Sequence, residues 1–232
     1  MQAVMETIFE TSYLLGSLVI GIIVLLFLKK IKNKKPVIIF GIMILILTIG
    51  DSFHLIPRMY SLITDSFEEN KAALGIGTLV TSITMTIYYV MFYHFIQINK
   101  QKQYPIYLTI IIYVLALARI IICALPQNDW AGDGNYLFGI IRNIPFLLLG
   151  AVIIALLIKE YFLNTHNKYF KYSFIFVILS FIFYTIVFIG VDMIPILGLM
   201  MLPKTVCYVV ITVMGLKYSK SLILEETTLI QS

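Results

Sequence analysis

VIIFGIMILILTIGDSFHLIPRM, Val37 to Met59, decides how this chain folds. Its first half is unbroken apolar sequence, and its second half carries Asp51, His54 and Arg58 inside the same run. A helix over this stretch, rising 1.5 Å per residue, crosses the ~30 Å hydrocarbon layer of a bilayer. The three polar residues are spaced i, i+3, i+7 and share one face. Asp51 lies ~21 Å along the helix from Val37, hence roughly 9 Å below the far boundary. An ionisable group near the bilayer centre costs roughly 2.5–3.5 kcal/mol on the insertion scale. It is tolerated where it meets other polar groups inside a bundle. Gly50, next to Asp51, lets a neighbouring helix come close.

The rest of the chain supplies that bundle. Hydrophobic residues make up 60% of the 232 residues and charged residues 12%, a balance that excludes an ordinary soluble domain. Seven runs are long enough to span: Phe9–Leu28, Val37–Met59, Ala73–Gln97, Pro105–Leu125, Tyr136–Ile158, Phe170–Val191 and Ile196–Leu216. The links are too short for a further domain. Residues 1–232 therefore read as a single all-α, polytopic integral membrane bundle of seven transmembrane helices.

A net charge of +5 suggests a nucleic-acid binder only if its placement is ignored. Lys29, Lys30, Lys32, Lys34 and Lys35 follow the first run, and Lys100 and Lys102 the third. Lys159, Lys168 and Lys171 follow the fifth, and Lys217 and Lys220 the seventh. The opposite loops hold Arg58 and Lys71 beside Asp65, Glu68, Glu69, Asp129 and Asp133. This positive-inside pattern predicts an outside N-terminus and an inside C-terminus in the cell membrane. The basic charge is a topology signal and calls for no nucleic-acid partner. Lys29-Lys30 stands where a cleavage site would need small residues, so the first run is not a cleavable signal peptide. Cys123 and Cys207 fall within helices and read as small buried hydrophobes.

Further charges lie in the outward half of their runs, at about the depth of Asp51. The fourth helix carries Arg119, the fifth Arg142-Asn143, the sixth ends in Asp192, and the seventh holds Lys204 with Tyr208 one turn further in. Two guanidiniums on adjacent antiparallel helices cannot both face lipid, so Arg119 and Arg142 are expected to turn inward with anions between them. Asp51 and Asp192 are available, and an anionic ligand is the other candidate. Pro203 is expected to free a backbone carbonyl and kink the last helix. The oxygen-rich loop Asn128–Asn135 lacks the spacing and terminal Glu of a calcium loop and reads as a turn with Trp130 at the interface.

The chemistry that fits is proton transfer. His54, His94 and His166 are spread over both membrane faces, so no His-rich metal centre is expected, and the reading needs no cofactor. Asp51 and Asp192 in unequal surroundings can divide into an acid and a base, with His54 tuning Asp51. Arg58, Arg119, Arg142, Asn143, Lys204 and Tyr208 would hold an anionic headgroup. Cations just below the lipid headgroups suggest a membrane phospholipid or lysophospholipid as partner.

The arrangement resembles the lysoplasmalogenase family of small polytopic membrane proteins. The similar features are Gly50-Asp51 in an early helix, Gly75-Ile76-Gly77 opening the next helix with His94 near its end, a late acid at Asp192, and Lys204 and Tyr208 in the last helix. The resemblance implies hydrolysis of the vinyl ether of lysoplasmalogens to a fatty aldehyde and a glycerophospho-alcohol. That reaction needs an acid and a base but no metal. Two other classes stay open. One is a transporter or receptor for a small anion. The other is similar to a microbial rhodopsin, with retinal on Lys204 and Asp51 as counter-ion; against it, Met200 stands where an Asp is expected four residues before the Lys, and the sixth helix has no Trp.

Overall fold

A computed structural model describes residues 2–98, 103–163, 168–191 and 193–231, with the side chains of all of these but Gln2, Pro195 and 226–231. Among the described residues the chain is all-helical, and seven helices are long and apolar enough to cross a membrane. They are α1 (Gln2–Leu26), α2 (Lys35–Thr64), α3 (Lys71–Ile98), α4 (Ile106–Ala124), α5 (Tyr136–Phe162), α6 (Ser173–Gly190) and α7 (Met201–Gln231).

Of the helix ends that differ from the sequence expectation, three have a physical reason in the contacts around them. α1 begins at Gln2 because Glu6 and Glu10, which interrupt the apolar run, are both taken up by Arg58 of α2. α2 continues through Pro57 to Thr64 and closes on a left-handed Asp65 (φ 53°), whose N–H reaches the Ser61 carbonyl. Pro57 has no N–H for the Phe53 carbonyl one turn back, and that carbonyl is turned against Gly77 of α3. α7 opens at Met201 after a 3-10 stretch, Pro195–Met200. Pro203 therefore sits in the first turn of α7, where a missing N–H leaves no intrahelical hydrogen bond broken.

α2 and α3 approach most closely. A Cβ on Gly50 would stand 1.9 Å from Thr84 Oγ1, and one on Gly77 2.2 Å from the Phe53 oxygen. No side chain fits at either crossing, so both glycines are required by contact. Beyond α4 the loop caps that helix. Asn128 Nδ2 donates to the Ile122 and Leu125 carbonyls (2.7 and 2.9 Å), and Trp130 Nε1 donates to the Cys123 carbonyl (2.8 Å). These are the orphan acceptors of a helix C-terminus. The capped loop lies over the start of α3, where Gly75 meets the Trp130 carbonyl and Lys71 reaches Asp133 at 2.5 Å.

The two ends of the bundle are filled differently. At the lysine-rich end, Phe40, Phe95, Phe170 and Tyr218 form an aromatic cluster with ring centroids 4.9–5.7 Å apart. Toward the middle, Tyr88, Tyr89 and Tyr208 stack edge-on, Tyr208 and Tyr89 joined through their hydroxyls at 3.1 Å. Above this floor, at the end carrying the loop after α4, the interior is hollow and polar.

Candidate functional site

The hollow is a cavity of ≈ 120 Å³ to which every helix contributes. Glu10 comes from α1, Asp51, His54 and Arg58 from α2, Thr78 and Thr81 from α3. Arg119 comes from α4, Phe146 from α5, Tyr184 from α6 and Lys204 from α7. The i, i+3, i+7 face of α2 thus turns inward as its spacing dictates, and five charged or titratable residues singled out in the sequence (Asp51, His54, Arg58, Arg119 and Lys204) line one space.

Each polar side chain is held differently. Asp51 Oδ2 accepts a hydrogen bond from the buried Tyr13 hydroxyl at 2.7 Å. Thr81 donates to the Gly50 carbonyl at 2.9 Å, fixing the backbone beside Asp51. His54 Nδ1 lies 3.1 Å from Thr78 Oγ1, which is also 2.8 Å from the Leu74 carbonyl. Which of His54 and Thr78 donates to the other follows the tautomer of the imidazole. Arg58 donates one amino group to Glu6 at 2.7 Å and the other to Glu10.

The cations on the opposite wall lack such partners. Arg119 is 2% exposed, its guanidinium 3.5 Å above the Phe146 ring, and its Nε and Nη1 have no hydrogen-bond partner among the described residues. Lys204 Nζ lies near the Tyr184 and Tyr208 rings (5.3 and 5.9 Å) and 3.8 Å from Met201 Sδ. Among the described residues no carboxylate oxygen comes within 4.0 Å of it. Glu10 Oε2 is likewise buried with no hydrogen-bond partner among the described residues. Cation–π contact offsets part of the cost of burying Arg119, but unpartnered charged atoms in an interior are exceptions that call for a reason.

Three of the expected site residues do not line the cavity. Arg142 turns toward the loop, donating to Asn128 Oδ1 at 3.0 Å and covering the Trp130 ring at 4.2 Å. Arg119 and Arg142 do not both turn into one space: each lies over an aromatic ring, and of the two carboxylates expected between them Asp51 is bound by Tyr13. Asn143 stands behind the wall, accepting from the Tyr184 hydroxyl at 2.5 Å. Tyr208 is in the floor. Asp192 lies outside the described residues. Among the described residues no three His, Cys, Asp or Glu side chains group as a metal site, and Cys123 and Cys207 are buried and free.

Sequence reasoning missed Glu6, Glu10 and Tyr13. Their spacing, i, i+4, i+7, was a readable signal for an inward polar face on α1. The expected first span, Phe9–Leu28, leaves Glu6 outside it and so cuts the repeat. No protein-family model, no curated protein and no solved structure matches this chain.

Proposed function

We propose that this protein is a hydrolase of the cell membrane acting on a lysophospholipid, as its resemblance to the lysoplasmalogenases implies. With the lysine-rich end in the cytoplasm, the cavity stands at the level of the outer leaflet. Arg119 and Lys204 hold the headgroup oxyanion, and Asp51 and His54 handle protons. Asp51 protonates the vinyl-ether carbon. Water adds to the oxocarbenium ion so formed and loses its proton to the His54 imidazole. The hemiacetal then collapses to a fatty aldehyde and a glycerophospho-alcohol, so one water is consumed and no redox partner is needed. Asp192, expected to share the acid and base roles with Asp51, lies outside the described residues, and the His54 imidazole offers a base without it.

The observation that carries this reading is the position of Asp51 on a seam between polar and lipid-facing space. Asp51 and Leu55 line the cavity, while Ser52 and Ile56, the residues next to them, line an apolar groove of ≈ 300 Å³ between α1 and α2. Leu15, Ile49 and Ile56 in that groove are exposed on the outside of the bundle. At hydrocarbon depth its occupant is an acyl or alkenyl chain. A lipid lying there brings its headgroup linkage to the Tyr13–Asp51 pair.

The test uses purified protein in nanodiscs, a panel of vinyl-ether and acyl lysophospholipids, and aldehyde and fatty-acid release as readouts. Aldehyde release that Asp51→Asn lacks while remaining folded is the expected result. No turnover of any lipid by folded protein overturns the hydrolase reading. The second reading, a receptor or transporter for a small anion, is favoured by the cavity's volume. That volume accommodates a phosphate-sized group and several waters with no chain.

A further inference from the structure

α1 turns one face into the bundle. Glu6, Glu10, Tyr13 and Ser17, spaced i, i+4, i+7 and i+11, are all buried. Arg58 of α2 takes the two carboxylates and so fixes the rotation of α1 about its axis. That bridge delivers Tyr13, nearly one turn deeper than Glu10, to Asp51. The Tyr13 hydroxyl donates to Oδ2 at 2.7 Å. Among the described residues the other oxygen, Oδ1, has no hydrogen-bond partner, and Asp51 lines the cavity. The backbone of Asp51 is fixed independently, by Thr81 on the Gly50 carbonyl at 2.9 Å and by the close crossing of Gly50 with Thr84. One freedom is left. The terminal torsion of an aspartate is broad and roughly twofold, so a fixed backbone does not choose which oxygen meets a substrate. The Tyr13 hydroxyl does.

We propose that Tyr13 is a positioning residue for the reaction: it binds Oδ2 of Asp51 and so presents the acid's proton on Oδ1, toward the cavity. This rests on the assignment of Asp51 as the acid that protonates the vinyl-ether carbon. In a protonated carboxyl the carbonyl oxygen is the better acceptor, and the hydroxyl oxygen carries the proton. The Tyr13 O–H therefore selects Oδ2 as the carbonyl and leaves the proton on Oδ1. In the transfer the Oδ1–H bond breaks and its electron pair stays on the carboxylate, while the vinyl π pair forms the new C–H bond. As Oδ2 takes up negative charge, the hydrogen bond from Tyr13 becomes charge-assisted and strengthens. An interaction stronger in the transition state than in the ground state raises kcat and leaves KM alone. Tyr13 acts through Asp51 and touches no substrate, since Asp51 belongs to the cavity lining and Tyr13 stands behind it. A tyrosine kept only to satisfy a buried carboxylate would affect stability and not turnover.

The experiment compares unaltered protein with Tyr13→Phe in nanodiscs by two readouts. The first is the infrared carbonyl stretch of protonated Asp51 at acidic pH, identified by its absence in Asp51→Asn and needing no substrate. Loss of the hydrogen bond should move that band to higher wavenumber. The second is aldehyde release from a vinyl-ether lysophospholipid, where kcat should fall about ten- to hundredfold with KM little changed. A band that does not move overturns the proposal and leaves the hydrolase reading standing. A band that moves while kcat stays the same makes the hydrogen bond a structural one and equally overturns it. No turnover by the folded, unaltered protein overturns the hydrolase reading, and the positioning role falls with it. Should Tyr13→Phe fold poorly, the unaltered protein decides. Its Asp51 band is expected below the position of an unbonded carboxyl, and a band at that position overturns the proposal.

Discussion

Replacing Gly77 by Ala tests how the site is positioned. The added Cβ would stand 2.2 Å from the Phe53 carbonyl oxygen and 2.8 Å from His54 Cα. Both are backbone atoms of α2, so no side chain can turn away, and the helices must part by about 1 Å. Overpacking of this kind costs about 1–3 kcal/mol. Parting also stretches two bonds between α2 and α3: Thr81 to the Gly50 carbonyl at 2.9 Å and His54 to Thr78 at 3.1 Å. Each is worth about 1 kcal/mol. Against these stands a helix-propensity gain of about 1 kcal/mol for Ala over Gly. The net expectation is a loss of about 2–4 kcal/mol, together with a displaced His54. The matched control is Gly16→Ala, where nothing lies within 4 Å of the new Cβ and only the propensity gain applies. Reversible denaturation in mixed micelles, followed by helical ellipticity, measures both. Equal stabilities of Gly77→Ala and Gly16→Ala would refute the close α2–α3 crossing.

Three further outcomes are expected. Arg58→Ala leaves Glu6 and Glu10 buried at the α1–α2 seam without their shared cation, and should cost about 3–5 kcal/mol in the same denaturation assay; Arg58→Lys should recover part of that. Tyr104→Phe removes a 2.5 Å hydrogen bond to the buried carboxylate of Glu160 and should cost about 1–3 kcal/mol. At the surface, the Lys71 ammonium beside Asp133 holds its carboxyl below the usual carboxylate range. A depressed folded-state value means the contribution is present above the ordinary value of about 4 and fades as pH falls through the lower one. Melting temperature followed from pH 6 down to 3 (roughly that range brackets the ordinary value) should therefore fall slightly less in Asp133→Asn than in the unaltered protein.

The seven spans were legible because apolar length is a strong signal in a membrane chain, and the inward face of α2 because three polar residues repeat at helical spacing. What hydropathy could not show was how far each helix runs once its charges are paired across helices. Glu6 and Glu10 extend α1 because Arg58 meets them, which is a tertiary fact. The same limit misdirected Arg142. Depth along a helix was readable, but its rotation was not, and Trp130 and Asn128 in the loop before α5 draw Arg142 away from Arg119. Lys204 and Asp51 line one cavity, while among the described residues no carboxylate pairs with Arg119 or Arg142. A tyrosine from α1 with no charge of its own, Tyr13, occupies Asp51.

The most direct measurement of the central claim is the stability and ligand response of Arg119→Leu. A guanidinium held for structure would take the fold with it when removed. One kept for a ligand sits unpaired and costs stability, so its replacement by an apolar side chain should leave the protein as stable or raise its unfolding free energy by up to about 2 kcal/mol. The same variant should lose all stabilisation by ethyl phosphate and by lysophospholipid. A destabilisation of several kcal/mol, or ligand stabilisation unchanged in the folded variant, would contradict the account.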